Sequence, residues 1–202
     1  ESMGSKYKNK KCGQFGHMAV LSFNGNKIIT TSGGGMILSS NKDYIDKAHF
    51  LSAQAKENEI YYEHKELGYN YRMSNVLAAL GRGQLEILDE RVEARRSIFK
   101  YYRNNLSHIE GVQFMPELKN SISNRWLSTL TIDSNINGVT PFELVDILEK
   151  ENIEARPIWK PMHQQPLYQN YKYISNSTDD ISGMLFSNGI CLPSGSELST
   201  NQ

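Results

Sequence analysis

The first arrangement in this sequence able to do covalent chemistry is a primary amine close behind a hydroxyl and ahead of a glycine run. It reads Ser22-Phe23-Asn24-Gly25-Asn26-Lys27, with Gly33-Gly34-Gly35 six residues further on. A lysine amine attacks carbonyl carbon to form an imine, but only as the free base, which burial or a neighbouring cation favours. Spacing alone gives Lys27 a bland meaning, because a lysine beside an Asn-Gly turn is ordinarily a solvated charge. Arg72, in Gly68-Tyr69-Asn70-Tyr71-Arg72-Met73, carries a guanidinium suited to carboxylates and phosphates, or to a salt bridge that orients its own loop. By itself Asn70 is a turn residue. His17, His49, His64 and His108 have no metal-ligand spacing, and no metal site is expected.

The elements that must position these groups are legible in part. Met18 to Phe23 and Lys27 to Thr31 are short apolar or β-branched runs around Asn24-Gly25-Asn26, which predicts a strand-turn-strand with Lys27 where the turn enters the second strand. The glycine run permits close backbone approach, and Met36-Ile37-Leu38 resumes a strand. From Asn41, a candidate N-cap, to about Lys56, apolar residues fall at helical spacing. Glu57 to Asn70 has no period and reads as a long binding loop. Ser74 can cap a single long helix running to about Leu106. Gly81 and Gly83 weaken that helix by roughly 1 kcal/mol each relative to Ala, so a close neighbour is expected at both. Its charge run Arg91, Glu93, Arg95, Arg96 is expected to be a solvated face.

Beyond it lies a smaller α/β unit with strands expected at Val112–Met115 and Arg125–Ile132. Thr140-Pro141-Phe142-Glu143 combines an N-cap, Pro at the first helical position and a capping-box Glu, opening a helix to about Glu151. The Pro-interrupted stretch from Pro157 to Pro166 must be irregular.

The 202 residues are 39% hydrophobic and 22% charged, an ordinary globular composition. Lys plus Arg equals Asp plus Glu at 22 each, so no basic field gathers nucleic acid or an anionic membrane surface. No apolar run approaches the roughly 18 residues of a membrane span. Cys12 and Cys191 are far apart and suit a reducing cytoplasm. Neither end reads as a natural terminus, and a fragment is expected.

Four ordered segments carry a resemblance. Gly13-Gln14-Phe15-Gly16 with Leu21 to Thr31 and Gly33-Gly34-Gly35-Met36, then Gly68 to Ser74, then Arg156-Pro157-Ile158-Trp159-Lys160-Pro161-Met162-His163, then Cys191-Leu192-Pro193-Ser194-Gly195-Ser196, resemble the DegT/DnrJ/StrS-type sugar-nucleotide aminotransferases. These are pyridoxal 5'-phosphate enzymes of fold type I. The resemblance implies an α/β fold in three parts: 1–75 as a remnant of the cofactor-binding large domain, 76–106 as a connecting helix, and 107–202 as a small C-terminal α/β domain.

It also implies that Lys27 holds the cofactor as a Schiff base and then moves the proton between substrate and cofactor. Ser22 would hydrogen-bond the cofactor phosphate. Asn70 would reach the phosphate of a neighbouring subunit's cofactor, making a homodimer with shared active sites. Arg72 would touch substrate or phosphate. His163 and Trp159 would lie near the nucleotide-sugar entrance, where an imidazole can bind diphosphate and an indole can cover a sugar or base; a purely structural role is the alternative for each. Tyr61, Tyr62, Tyr69 and Tyr71 fit the dimer interface. The resemblance places the Asp that pairs with the pyridine nitrogen upstream of Glu1, so activity of this chain alone is in question.

The expected reaction moves an amino group, with glutamate as donor, to a nucleotide-linked keto-deoxysugar for glycan or polysaccharide synthesis. Members acting at C4 of UDP-linked N-acetylated 4-keto-6-deoxyhexoses are the nearest in motif. The alternatives are C3 of a dTDP-sugar and an inactive or regulatory relative. A deoxygenating variant is disfavoured because histidine replaces the lysine there.

Overall fold

A computed structural model of the chain describes residues 1–176 and 178–199. Two compact units result, one from Glu1–Glu93 with Leu118–Trp126, the other from Ala94–Glu117 with the chain from Leu127 onward.

The first unit opens with β1 (Lys6–Tyr7) and β2 (Lys10–Lys11), paired antiparallel. Strands β3 (Ala19–Ser22) and β4 (Gly35–Leu38) pair directly, Ser22 opposite Gly35. The strand expected at Lys27–Thr31 is therefore absent. Residues 23–34 form a loop that folds inward because Phe23, Ile28 and Ile29 are all buried, joining Leu88 and Val92 in one cluster. Adjacent Ile28 and Ile29 facing the same core break the alternation a strand requires. The bare backbone of the glycine run is used: a Cβ on Gly35 would lie 2.6 Å from the Leu21 carbonyl oxygen.

Helix α1 (Lys42–Ser52) has Asn41 as N-cap, accepting from the Asp43 N–H, and ends four residues before Lys56, where Gln54 and Ala55 take positive φ. Residues 57–70 are irregular, apart from isolated bridges Ala53–Asn70 and Lys56–His64. Ser74 caps the next helix, but the long helix is two: α2 (Asn75–Glu86) and α3 (Leu88–Leu106), separated at Ile87. A Cβ on Gly81 would meet the Thr31 methyl at 2.8 Å, the close neighbour expected, whereas Gly83 has nothing within 4 Å. Arg95 is buried, and Arg96 reaches Glu117 at 2.7 Å, so the charge run is not simply a solvated face.

Then come β5 (Val112–Phe114) and β6 (Ser121–Ile122), the latter pairing back with β1 in the first unit. The strand expected from Arg125 begins only at Ser128, as β7 (Ser128–Ile132), because Arg125 adopts φ 47°. A short α4 (Ser134–Asn137) precedes α5 (Pro141–Lys150), whose Thr140–Glu143 capping box is complete. Strand β8 (Arg156–Pro157) leads into two 3-10 turns, Met162–Gln164 and Pro166–Tyr168; α6 (Ile181–Asn188) and β9 (Gly189–Leu192) follow. The second unit's sheet runs β5-β7-β9-β8, all antiparallel. Its core gathers Leu130, Ile132, Ala155 and Ile190 under α5 residues Leu144, Val145 and Leu148. Burying a side chain as fully as Ile190, at 0% exposure, contributes about 1.5–3 kcal/mol.

Candidate active site

Lys27 sits in the inward-folded loop between β3 and β4, just before buried Ile28 and Ile29, and this places the start of its stem at the core edge. Its side chain is only 13% exposed. Nζ donates to Glu1 Oε1 at 2.7 Å, and the same ammonium lies 4.6 Å from the centroid of the Trp126 ring. The hydrogen bond from Lys27, with the lysine's charge behind it, holds the Glu1 carboxyl below the usual carboxylate range. The loop is fixed at several points. Trp126 Nε1 donates to the Asn26 carbonyl at 2.8 Å, and the Gln84 side chain on α2 exchanges two hydrogen bonds with the Thr30 backbone, at 2.9 and 2.8 Å. Thr31 N–H returns to the Phe23 carbonyl at 2.9 Å. Ser22 ends β3 with an exposed side chain, at the root of the same loop.

Asn70 and Arg72 are exposed in the first unit too. Their segment is tied to the end of α1 by backbone bonds: Tyr69 N–H to Leu51 O at 2.8 Å, Gln54 N–H to Tyr69 O at 3.0 Å, and Tyr71 N–H to Ser52 O at 2.9 Å. Gly68 is required there, since a Cβ would fall 2.3 Å from the Ala55 nitrogen. Backbone bonds and the Tyr69–Tyr71 stack, with centroids 4.9 Å apart, orient the segment. Met73 packs against the cluster around Phe23, and Ser74 begins α2.

His163 and Trp159 belong to the second unit. Trp159 is 62% exposed. The His163 ring is held: Nε2 donates to Asp180 Oδ2 at 2.9 Å and its face stacks on Tyr173 at 4.0 Å. A carboxylate can only accept, which puts a proton on Nε2; Nδ1 then donates to an anionic ligand only when it too carries a proton. Asp180 also accepts from Gln164 Nε2, Ser182 Oγ and the Gly183 N–H, the last as N-cap of α6. These bonds, that with His163 foremost, hold its carboxyl well below the usual range.

The structure thus gathers Lys27, Ser22, Asn70 and Arg72 into one unit, and His163 and Trp159 into the other. Sequence reasoning missed Glu1, Gln84 and Trp126 around the lysine, and Asp180 and Tyr173 around the histidine. Only Asp180 had a local signal, an N-cap ahead of an apolar run. Among the described residues no group of three His, Cys, Asp or Glu side chains is placed to hold a metal ion, and no helix is long and apolar enough to cross a membrane.

The sequence profile of the DegT/DnrJ/EryC1/StrS aminotransferase family matches residues 1–202. The chain belongs to that family. EpsN of Bacillus subtilis (strain 168), whose name assigns it to the pyridoxal phosphate-dependent aminotransferases, is 53% identical over all of this chain and 52% of its own length. A GDP-perosamine synthase of Escherichia coli O157:H7 is 36% identical over all of the chain and 53% of its own. A UDP-4-amino-4,6-dideoxy-N-acetyl-beta-L-altrosamine transaminase of Campylobacter jejuni (serotype O:23/36, strain 81-176) is 40% identical over half of the chain and 27% of its own. The chain spans about half the length of EpsN and the GDP-perosamine synthase. Among solved structures, Helicobacter pylori PseC, an aminotransferase involved in the biosynthesis of pseudoaminic acid, superposes with a TM-score of 0.87 at 25% identity, over 98% of this chain and 53% of that one. The α/β architecture is therefore part of the fold type I aminotransferase fold, as the motifs imply.

Pyridoxal phosphate fits the donor set by chemistry: an amine at Lys27 for its aldehyde, with a hydroxyl at Ser22, an amide at Asn70 and a guanidinium at Arg72 of the kinds that bind phosphate.

Proposed function

We propose that this chain is the lysine-bearing part of a pyridoxal phosphate-dependent aminotransferase acting on a nucleotide-linked keto-deoxysugar, with glutamate as amino donor. The observation that carries the reading is Lys27, a mostly buried amine held at a fixed place by Glu1 and Trp126 within the family's lysine segment. Bound pyridoxal phosphate supplies an electron sink for the pair left when a proton leaves the donor's α-carbon. Lys27 Nζ would hold the cofactor's aldehyde carbon, and as a free amine it would be the group that takes and returns the proton. Ser22 hydrogen-bonds the phosphate, Arg72 receives a carboxylate or phosphate, and His163 and Trp159 bind the diphosphate and the sugar or base.

The domain assignment follows this reading: 1–75 from the large domain, 76–106 as connector, 107–202 as small domain. A homodimer with shared sites goes with it, Asn70 serving the neighbouring cofactor's phosphate. Exposed Ile60, Tyr61, Tyr62 and Leu67 support an interface at that segment. Two free cysteines fit a cytoplasmic enzyme.

For the substrate, the lysine and Arg156–His163 segments and the altrosamine transaminase favour C4 of a UDP-linked N-acetylated 4-keto-6-deoxyhexose. A GDP-linked keto sugar is the second reading, favoured by the GDP-perosamine synthase. The test expresses the full open reading frame, supplies UDP-, GDP- and dTDP-linked keto sugars with glutamate and pyridoxal phosphate, and follows 2-oxoglutarate. Turnover with the UDP sugar alone is expected. Turnover with the GDP sugar alone moves the assignment to the second reading, and none with any sugar defeats the proposal.

A further inference from the structure

We infer that Trp126 is a positioning residue for the Lys27 amine, pinning its loop through the indole N–H and seating its nitrogen against the ring face. This rests on Lys27 being the cofactor lysine.

Trp126 reaches the loop from far along the chain, and its placement is built rather than incidental. Asn124 is buried, and its side chain donates to the carbonyls of Glu1 and Met3 at 2.6 and 2.8 Å. Its backbone N–H donates to Ser5 Oγ at 2.9 Å, and its Oδ1 accepts from the Trp126 N–H at 3.0 Å. Between them Arg125, also buried, takes φ 47°, a left-handed turn immediately before Trp126. Asn124 thus both holds the segment carrying Glu1 and fixes the backbone of the indole.

From there Nε1 donates to the Asn26 carbonyl, one residue before the lysine, while the ring lies 4.6 Å from Nζ and packs against the cluster of Phe23, Ile28 and Ile29. A residue serving only as filler has no need of either polar contact. The two carboxylate and aromatic contacts have different permanence. Glu1 is 60% exposed and can release the amine to a carbonyl, whereas the indole is tied at its backbone and at Nε1. The ring keeps the nitrogen in one place while its polar partner changes.

The test uses the product of the full open reading frame as wild type, Trp126→Phe and Trp126→Ala. Each is incubated with pyridoxal phosphate, reduced with borohydride and mapped by mass spectrometry, with Lys27 labelling measured against exposed Lys42. Wild type should label Lys27 preferentially. Trp126→Ala should cut that preference about tenfold, and Trp126→Phe, which keeps the face but loses the donor, about threefold. A second readout is free of cofactor: after reductive methylation with 13C-formaldehyde, the Lys27 methyl signal should be shifted upfield by the ring in wild type and Trp126→Phe, and lose that shift in Trp126→Ala. Should Trp126→Ala fail to fold by circular dichroism, Trp126→Phe decides. Wild-type preference retained by every folded variant overturns the positioning role and leaves the cofactor lysine standing. No preference for Lys27 in wild type overturns the cofactor lysine itself, while the methyl shift still reports whether the ring seats the amine.

Discussion

Lys27 and His163 are each gripped by a carboxylate on one side and an aromatic ring on another, yet the grips differ in kind. Lys27 meets Glu1, an exposed carboxylate, and a ring 4.6 Å away. His163 meets Asp180, which caps α6 and serves Gln164 and Ser182 as well, and a ring stacked at 4.0 Å. Releasing Lys27 breaks one exposed ion pair. Turning His163 would disturb a helix terminus. The difference fits the work proposed for each: an amine that must change bonding partners needs a yielding contact, while a ring that orients a diphosphate needs an unyielding one.

The largest effect should come from breaking the rigid grip. Asp180→Asn keeps the shape but removes the charge. It should weaken nucleotide-sugar binding about tenfold, measured by calorimetry, with Lys27 labelling by pyridoxal phosphate unchanged. Equal loss of labelling would show that the two grips are not separate.

Acid provides a milder probe of the same contact. Because the Asp180 carboxyl is held below its unfolded-state value, its contribution to stability is fully present above the ordinary carboxylate range and is lost as pH falls through the lowered folded-state value. Urea midpoints taken from pH 7 down to about pH 3 should fall more steeply in wild type than in Asp180→Asn. Parallel curves would mean that Asp180 does not carry that loss.

The smallest effect is expected at the yielding grip. Glu1→Gln should shift stability by about 0–1 kcal/mol, since an exposed ion pair is worth little. Labelling of Lys27 should change less than in Trp126→Ala. A larger loss in Glu1→Gln would make the carboxylate, not the ring, the residue that places the amine.

Those elements that local chemistry specifies were legible. Asn41, Ser74 and Thr140 each cap a helix where the sequence puts one; the proline-interrupted stretch forms short turns from Met162 on, but Pro157, expected to be irregular, closes strand β8 opposite Ile190. The break at Ile87 was hidden because the apolar period of three and four runs across it with no Gly or Pro there. Lys27–Thr31 looked like a strand because Ile and Thr favour one, but burial of adjacent Ile28 and Ile29 overrode that preference. At the site, Lys27 emerged from family motifs, whereas Trp126 had no local mark. Its contact with Asn26 spans 100 positions and depends on Asn124 binding the first residues of the chain.

The most direct measurement is the visible absorbance of the full open reading frame's product after incubation with pyridoxal phosphate and gel filtration, in wild type and Lys27→Ala. A band from lysine-bound cofactor is predicted in wild type and absent in the variant. The same band in both, or in neither, would contradict the assignment of Lys27 as the cofactor lysine.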